Sequence, residues 1–256
     1  MLALERRNLI LEKLQEEKRV VVGELSQLYG VSEETIRRDL DKLDRDGLAV
    51  KSYGGAVINE NTSIDMPFNV RKKRNVSGKQ KIAELVASQI TDGDHIILDA
   101  STTAVFIAKA IKQKNNLTVI TNSIEIIIEL SDVSDWNIIS SGGSLKEGYL
   151  ALVGPHAIEG LSSYNVEKAI MSCKGIDIEK GITDGNEQFS QAKQTMQKVA
   201  KQSILAVDST KFGEVAFSKI CDVNKIDMVI TDEKPPENWL GFFDKMGIEC
   251  LYPEKK

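Results

Sequence analysis

Apolar residues recur at helical spacing through the first part of the chain, and short polar turns separate the stripes. Residues 3–17 carry one such stripe and predict a first helix. The β-branched residues at 19–22 predict a short strand, and a second helix is expected over residues 23–28. The apolar face of the first helix is expected to consist of Leu4, Ile10, Leu11 and Leu14.

The stretch Val31–Leu40 predicts a third helix that begins after a turn and presents a polar face. Ser32 is a suitable N-cap, because its hydroxyl can accept a hydrogen bond from an amide of the next turn. Ile36, Leu40 and Leu43 predict a narrow buried stripe. Two helices joined this way form a helix-turn-helix, whose second helix lies in the DNA major groove. The outward residues expected to contact DNA are Ser32, Glu33, Glu34, Thr35, Arg37 and Arg38.

Two short β-prone stretches, 48–53 and 56–58, flank a pair of glycines and predict a hairpin. Beside a helix-turn-helix, such a hairpin indicates a winged variant whose tip lies along the DNA backbone. In the plainer interpretation, the two glycines only make a tight turn. The residues of the wing expected to contact DNA are Lys51, Gly54 and Gly55.

The net charge of this region weakens its interpretation as a DNA-binding domain. Residues 1–60 contain ten Lys/Arg against twelve Asp/Glu, a net charge of −2, whereas a basic domain would be the stronger footprint of DNA binding. The positive charge that meets DNA must therefore be local, at Arg37-Arg38, at Lys51 and in the basic run 71–74. The alternative is a solvated helix that contacts another protein.

The remainder of the chain changes to short apolar strands that alternate with helices. Residues 59–76 are expected to form a linker between a domain at 1–58 and a second domain at 77–256. Strand, polar turn and helix repeat in order, which predicts an α/β domain with a mainly parallel sheet. The expected strands are 94–99, 117–121, 136–140, 168–172, 204–208, 228–231 and 248–252, with helices at 81–90, 188–201 and 236–246 among them.

Hydroxyl, amide and carboxylate side chains follow most of these strands. In open parallel sheets, ligands bind beside the carboxyl ends of the strands. Ser101-Thr102-Thr103 would begin a helix whose free amides favour a phosphate, with Lys79 or Lys211 as the neutralising cation. Gly142-Gly143 would let the backbone approach a ligand closely. The alternative is that such residues are ordinary N-caps, but their repetition favours a small, phosphorylated ligand.

Composition excludes several other classes of protein. The chain has 256 residues, 41% of them hydrophobic and 28% charged, which suits an ordinary soluble protein of two domains. No apolar run approaches a membrane span and the N-terminus is too polar for a signal peptide, so we expect a cytoplasmic protein without membrane contact. The three scattered cysteines predict free thiols. With two histidines and no Walker loop, we expect neither a metal ion nor a cofactor.

Nearly end to end, the chain resembles the DeoR family of transcriptional regulators. The N-terminal resemblance lies in Arg6-Arg7, in the whole run 31–40 and in Gly54-Gly55-Ala56. Later segments similar to the family are Lys79-x-x-Ile82-Ala83, Leu98-Asp99-x-Ser101-Thr102-Thr103, Thr121-Asn122-Ser123, Gly181-Ile182-Thr183 and Asp208-Ser209-x-Lys211-Phe212-Gly213.

The resemblance implies an α+β winged helix-turn-helix domain followed by an α/β sensor domain related in fold to sugar-phosphate isomerases. Family members are usually repressors of carbohydrate-catabolic operons that act as homodimers or homotetramers. A phosphorylated sugar releases them from operator DNA, or occasionally recruits them to it. Together with the strand ends, the resemblance assigns effector binding to Lys79, Asp99, Ser101, Thr102, Thr103, Thr121, Asn122, Gly142, Gly143, Asp208 and Lys211.

Two departures from the family pattern concern the ligand. Position 101 is Ser where many members have Gly, which alters how closely the backbone approaches a phosphate. Glu167-Lys168-Ala169-Ile170 stands where Asp-x-Ala-Phe is usual, so the identity of the ligand does not transfer.

The leading hypothesis is therefore a DNA-binding repressor, not an enzyme, controlled by a sugar phosphate. The alternative is an isomerase-like enzyme with an accessory helix-turn-helix domain. In that case Asp99, Asp184, Asp208 and Lys211 would supply acid, base and cation for aldose–ketose isomerisation. A third hypothesis is a protein-interaction scaffold.

Overall fold

The computed structural model of the protein describes residues 1–59 and 66–254. The chain divides into two compact units, Met1–Arg74 and Asn75–Lys256. Of the predicted linker 59–76, residues 60–65 lie outside the described residues.

The first unit has the expected winged helix-turn-helix order. Its small antiparallel sheet has the strand order β1-β3-β2. The wing strands β2 and β3 pair with each other, and β1 pairs with the other edge of β3. The elements are α1 (Ala3–Glu17), β1 (Arg19–Val21), α2 (Val22–Tyr29), α3 (Glu33–Arg45), β2 (Ala49–Ser52), β3 (Gly55–Ile58) and α4 (Phe68–Lys73).

The core of this unit forms between the predicted stripes of α1 and α3. Ile10, Leu11 and Leu14 pack in one cluster with the α3 residues Ile36 and Leu40. The prediction for Leu4 was wrong, because α1 extends beyond this cluster at its first turn and leaves that side chain 65% exposed.

Residues 68–73 fall within the predicted linker, but they form α4 instead. Val70 is buried in the same core cluster, and Lys73 Nζ forms an ion pair with Glu12 of α1 at 2.8 Å. Part of the basic run 71–74 therefore forms contacts within the first unit. Arg71 donates from Nε to the carbonyl of Met66 at 3.0 Å.

The second unit is built around a parallel sheet with flanking helices. Its elements are α5 (Val76–Ser88), β4 (His95–Leu98), α6 (Thr102–Ala110), β5 (Thr118–Thr121), α7 (Ile124–Leu130), β6 (Asn137–Ser140), β7 (Ser144–Lys146), β8 (Ala151–Val153), α8 (Pro155–Ser162), β9 (Val166–Met171), β10 (Gly175–Asp177), β11 (Gly181–Asp184), α9 (Glu187–Val199), β12 (Ala200–Ala206), β13 (Ser218–Cys221), β14 (Met228–Ile230), α10 (Glu237–Met246) and β15 (Glu249–Leu251).

The order of the strands places a topological switch in the middle of this sheet. Among the described residues, the sheet has seven strands in the order β15-β14-β12-β9-β4-β5-β6, and every pairing is parallel. From β4 the chain runs outward through β5 to β6, and from β9 it runs outward in the opposite direction. The switch therefore lies between β4 and β9, where a ligand site is expected at the carboxyl ends.

Several short elements had no counterpart in the sequence prediction. The antiparallel hairpin β7–β8 and the antiparallel sheet β10-β11-β13 consist of strands three or four residues long, too short for an alternating pattern. The predicted helix 188–201 ends at Val199, because Ala200 already pairs with Val166 of β9.

Candidate functional site

Helix α3 begins as the sequence predicts. Ser32 has extended backbone angles, and its Oγ accepts a hydrogen bond from the amide of Thr35 at 3.3 Å. The two hydroxyls also lie 2.9 Å apart. Ser32 and Thr35 are thus both engaged in capping the start of the helix, which fixes the direction in which α3 leaves the turn.

The inner face of α3 carries a buried ion pair. Asp39 Oδ2 lies 2.5 Å from Nε of Arg6 in α1, and the two residues are 3% and 6% exposed. Arg7 approaches the other carboxylate oxygen at 3.9 Å. Asp39 therefore anchors α3 to α1 and is not available to the outward face. Its position three residues after Ile36, on the buried stripe, is a signal that sequence reasoning missed.

The outward face of α3 carries the two predicted arginines, each paired with a glutamate one turn earlier. Arg37 contacts Glu33 at 2.6 Å, and Arg38 contacts Glu34 at 3.3 Å. All four side chains are more than half exposed, so these pairs contribute little to stability. They hold the guanidinium groups along the helix, and a phosphate can replace the glutamates at small cost.

The wing differs by one residue from the prediction. The turn is Tyr53-Gly54, whereas Gly55 is the first residue of β3 and is buried. A Cβ at position 55 would lie 1.9 Å from the carbonyl oxygen of Val20, so glycine is required by the close approach of β1. Gly55 is thus removed from the candidate interface. The fully exposed Tyr53 takes its place at the tip.

Lys51 of the wing is tied to α3. Its amide donates to Asp44 Oδ1 at 3.0 Å, and its Nζ forms an ion pair with Asp41. Both carboxylates lie on the last turns of α3, so the wing strand and the helix present one continuous surface. Except for Gly55, all the predicted DNA-contact residues are exposed or partly exposed, as is Tyr53; they are Ser32, Glu33, Glu34, Thr35, Arg37, Arg38, Lys51 and Gly54.

In the second unit, Asp99 stands at the switch point of the sheet. It follows β4 and is 1% exposed. Its Oδ1 accepts from the amide of Ser101 at 3.1 Å, and its Oδ2 accepts from the amide of Ser172, after β9, at 3.0 Å. Asp99 therefore joins the carboxyl ends of the two strands between which the sheet changes direction.

A buried lysine completes this cluster. Lys193 Nζ lies 3.3 Å from Asp99 Oδ2 and also pairs with Asp184 of β11. Burial alone would lower the pKa of Lys193, but the carboxylates of Asp184 and Asp99 more than offset that effect and raise it. Sequence reasoning did not name Lys193. The signal was present, because Phe189, Ala192, Lys193 and Met196 form the buried stripe of α9.

The hydroxyl run after Asp99 caps a helix and buries its threonines. Ser101 Oγ accepts from the amide of Ala104 at 3.1 Å, as the N-cap alternative predicts. Thr102 and Thr103 are each 5% exposed, in the first turn of α6. The first turn of α6 therefore lies immediately beside Asp99.

Asn122 carries an unfilled acceptor. It follows β5, beside β4, and its Nδ2 donates to the carbonyl of Leu152 in β8 at 3.0 Å. Among the described residues, nothing donates to its buried Oδ1. Its neighbour Thr121 is fully engaged, donating to the carbonyl of Leu98 at 2.7 Å and accepting from the amide of Ser123.

The glycine pair after β6 has two different roles. Gly142 has φ +68°, and nothing lies within 4 Å of the position that a Cβ would take, which leaves room for a ligand. At Gly143, a Cβ would lie 2.7 Å from the carbonyl oxygen of Val153, so this glycine serves the packing of the β7–β8 hairpin.

The remaining predicted residues lie at other strand ends or in α5. Asp208 follows β12 and accepts from the amide of Thr210 at 3.1 Å, in the same 3-10 turn as Lys211. Burial raises the pKa of the Cys173 thiol, after β9, to about 12, and the charges of Lys193, Asp184, Lys211 and Asp208 also act on it.

Lys79 is buried in the first turn of α5. Its Nζ lies 5.9 Å from the ring centre of Phe106 in α6. The lysine is thus held against the helix whose first turn contains Thr102 and Thr103.

These two units define a winged helix-turn-helix joined to an α/β unit with a polar cluster at its switch point. The DeoR-like helix-turn-helix domain model matches residues 6–62, and the DeoR C terminal sensor domain model matches residues 74–233. The chain belongs to the DeoR family of transcriptional regulators.

Several curated proteins are similar to this chain over most of its length. The HTH-type transcriptional regulator YulB of Bacillus subtilis (strain 168) is 41% identical over 91% of this chain and 90% of its own. The HTH-type transcriptional repressor GlcR of the same organism is 38% identical over 96% and 95%. The glycerol-3-phosphate regulon repressor of Escherichia coli (strain K12) is 29% identical over 91% and 92%.

Among solved structures, ribose 5-phosphate isomerase A from Methanocaldococcus jannaschii is 16% identical with a TM-score of 0.40. The match covers 54% of this chain and 55% of the isomerase, and nothing about activity follows from a likeness of this size. Within the described residues, no helix is both long and apolar enough to span a membrane.

Proposed function

We propose that the protein is a repressor of a carbohydrate-catabolic operon and that a phosphorylated sugar bound in the second unit controls its affinity for operator DNA. Its relatives include a repressor of the glycerol-3-phosphate regulon and the repressor GlcR, which supports this direction. The observation that carries the proposal is the cluster at the switch point, where the unfilled acceptor of Asn122 lies in the same row of strand ends as Asp99 and the start of α6.

The chemistry of this edge suits a ligand with one phosphate and several hydroxyls. The first turn of α6 offers backbone amides and the buried hydroxyls of Thr102 and Thr103, which favour an anion. Lys79 and Lys211 supply positive charge, and Asn122 Oδ1 needs a donor such as a sugar hydroxyl. An unphosphorylated sugar would make no use of this positive charge, so the proposed effector is phosphorylated.

The same geometry speaks against the isomerase hypothesis. A general base needs a carboxylate oxygen that can reach a substrate proton. Both oxygens of Asp99 already accept from backbone amides, and Lys193 holds Oδ2 as well. Asp184 is paired with the same lysine. We therefore propose that the cluster binds a ligand without converting it.

The DNA-binding surface is tested by removing the arginines of α3. Arg37→Ala and Arg38→Ala are each expected to weaken binding to an operator duplex, selected from a random pool by the full-length protein, by about 1–3 kcal/mol. The reason is that each loses a charge-assisted contact, whereas its surface pair with glutamate contributes little to the fold. Fluorescence anisotropy with labelled duplex measures the effect.

The matched control for the arginine variants is Lys13→Ala, which removes one positive charge from an exposed pair with Glu17 on α1. It should bind the selected duplex like the wild type. Wild-type affinity in both arginine variants would overturn the proposed interface.

The effector site is tested by thermal shift with glycerol 3-phosphate, glucose 6-phosphate, fructose 6-phosphate and fructose 1-phosphate. A ligand at a hundred times its Kd stabilises by about 2.7 kcal/mol, so at least one compound should raise the wild-type Tm clearly. Lys211→Met should lose most of that rise because a cation is gone. Lys234→Met, which removes an exposed lysine paired with Glu237, should keep it.

A further inference from the structure

Asn75 is the first residue of the second unit, and its backbone lies in the left-handed region with φ 46° and ψ 50°. Both the oxygen and the nitrogen of its side-chain amide form hydrogen bonds. Oδ1 accepts from the amide of Gly78 at 3.2 Å and so caps α5, while Nδ2 donates to Asp232 Oδ2 at 2.9 Å. Positive φ is uncommon for residues other than glycine, although asparagine adopts it more readily than most. These two bonds fix the orientation of the Asn75 side chain.

Asp232 links this junction to the row of strand ends. It follows β14 and is 4% exposed. Its second oxygen, Oδ1, accepts from the amide of Ser209 at 2.7 Å. Ser209 opens the 3-10 turn that contains Lys211 and directly follows Asp208. One carboxylate thus joins the proposed effector-binding turn to the residue at which the chain leaves the first unit.

The pair is also packed tightly against α5. A Cβ at position 78 would lie 2.4 Å from both Asn75 Nδ2 and Asp232 Oδ2, so only glycine fits beside them. The next residue is Lys79, whose amide donates to the carbonyl of Asn75 at 3.1 Å. The Asn75–Asp232 pair is therefore connected to two proposed effector-binding lysines. Asn75 bonds to Lys79 of α5, and Asp232 bonds to Ser209, which lies in the same turn as Lys211.

We propose that Asn75 and Asp232 are the positioning pair that transmits effector occupancy to the junction between the two units. The inference rests on the proposed function. A ligand that draws in Lys211 and Lys79 shifts the Ser209 amide and the first turn of α5 relative to each other. Asp232 accepts from the Ser209 amide and from the side chain of Asn75, the N-cap of α5, so the hydrogen bond between Asp232 and Asn75 changes and the backbone at residue 75 changes direction. Neither residue contacts the ligand or the DNA.

The test exchanges the two groups, because the pair can be broken by either single substitution and rebuilt by both. Asn75→Asp keeps an acceptor for the Gly78 amide but sets a carboxylate against Asp232. Asp232→Asn keeps an acceptor for Ser209 but sets two amide donors against each other. In the double variant Asn75→Asp/Asp232→Asn, the amide introduced at position 232 donates to the carboxylate introduced at position 75. Every hydrogen bond of the original pair then has a counterpart.

The readouts are operator affinity by anisotropy and Tm, each with and without the panel compound that raises the wild-type Tm most, and with inorganic phosphate as control. In the wild type, the compound should change operator affinity by about 5–150-fold, the usual range of allosteric coupling. Both single variants should keep the basal affinity and the Tm rise, yet show less than about a threefold change. The double variant should recover at least half of the wild-type response on a logarithmic scale.

The outcomes separate this inference from the proposal beneath it. If no panel compound raises the wild-type Tm, the sugar-phosphate proposal fails and the inference falls with it. If the compound binds and both single variants still respond like the wild type, only the inference is overturned. Single variants that lose the response without recovery in the double variant also overturn it, since damage unrelated to the pairing would do the same.

Discussion

Asp39→Ala is expected to destabilise the first unit by about 3–5 kcal/mol, although Asp39 faces away from the proposed DNA surface. The substitution leaves Arg6 buried without its partner, and α3 loses its polar anchor on α1. Because α3 carries both arginines, operator binding should fall as the unit unfolds. Hydrogen exchange of α3 amides in the full-length protein measures the loss of stability directly.

Two controls distinguish the buried pair from a general effect of lost charge. Glu17→Ala removes one acid from an exposed pair on α1 and should leave exchange in α3 unchanged. The double variant Arg6→Met/Asp39→Leu replaces the whole pair by apolar side chains and should restore most of the stability. Both tryptophans, Trp136 and Trp239, lie in the second unit, so their fluorescence should not change in any of these variants. Native exchange rates in Asp39→Ala would contradict the account.

Lys193→Met is expected to have a comparably large effect on the second unit, about 3–5 kcal/mol. It leaves the buried carboxylates of Asp99 and Asp184 without their common cation. Denaturant unfolding can be followed by the fluorescence of Trp239, which is part of the buried core of this unit. The double variant Lys193→Met/Asp184→Asn should regain part of the loss, since one of the two charges is gone.

The pH dependence gives this prediction a second test. In the wild type, the pKa of Lys193 is raised by folding, so its contribution to stability is complete below the ordinary lysine pKa and is lost only as the pH rises through the higher folded value. The loss of unfolding free energy in Lys193→Met should therefore not shrink as the pH rises from 7 to 9, and a loss that shrinks over this range would contradict a charged Lys193 in the assigned cluster.

Local patterns sufficed for the helix-turn-helix of the first unit, although not for α4. The cap at Ser32 and the stripe of Ile36, Leu40 and Leu43 depend on neighbours within a few turns, and all are found as expected. The error at Gly55 has the opposite origin, because the reason for that glycine is the carbonyl of Val20, which the hairpin pattern does not contain. The polar face of α3 was likewise predicted, but not the pairing of its arginines with Glu33 and Glu34.

The candidate site of the second unit was only partly accessible from sequence. The predicted strand 94–99 ends at Asp99, and in a parallel sheet the carboxyl ends of all strands lie at one edge. The sequence therefore predicted that Asp99 lies at the ligand-binding edge. Its contact with Lys193 joins residues more than ninety positions apart, and no local pattern specifies such a pair. The Asn75–Asp232 bond is similar, with a separation of 157 residues. Both depend on how α5 and α9 pack on the completed sheet.

The proposed control of operator binding by a phosphorylated sugar is a coupling between the second unit and the first. It is tested most directly by anisotropy of the selected operator duplex with full-length protein, titrated with each panel compound and with the matching unphosphorylated sugar or glycerol. We expect at least one phosphorylated compound to change the operator Kd by about 5–150-fold and its unphosphorylated counterpart to leave it unchanged. An operator Kd unchanged by every phosphorylated compound, or changed equally by the unphosphorylated partner, would contradict it.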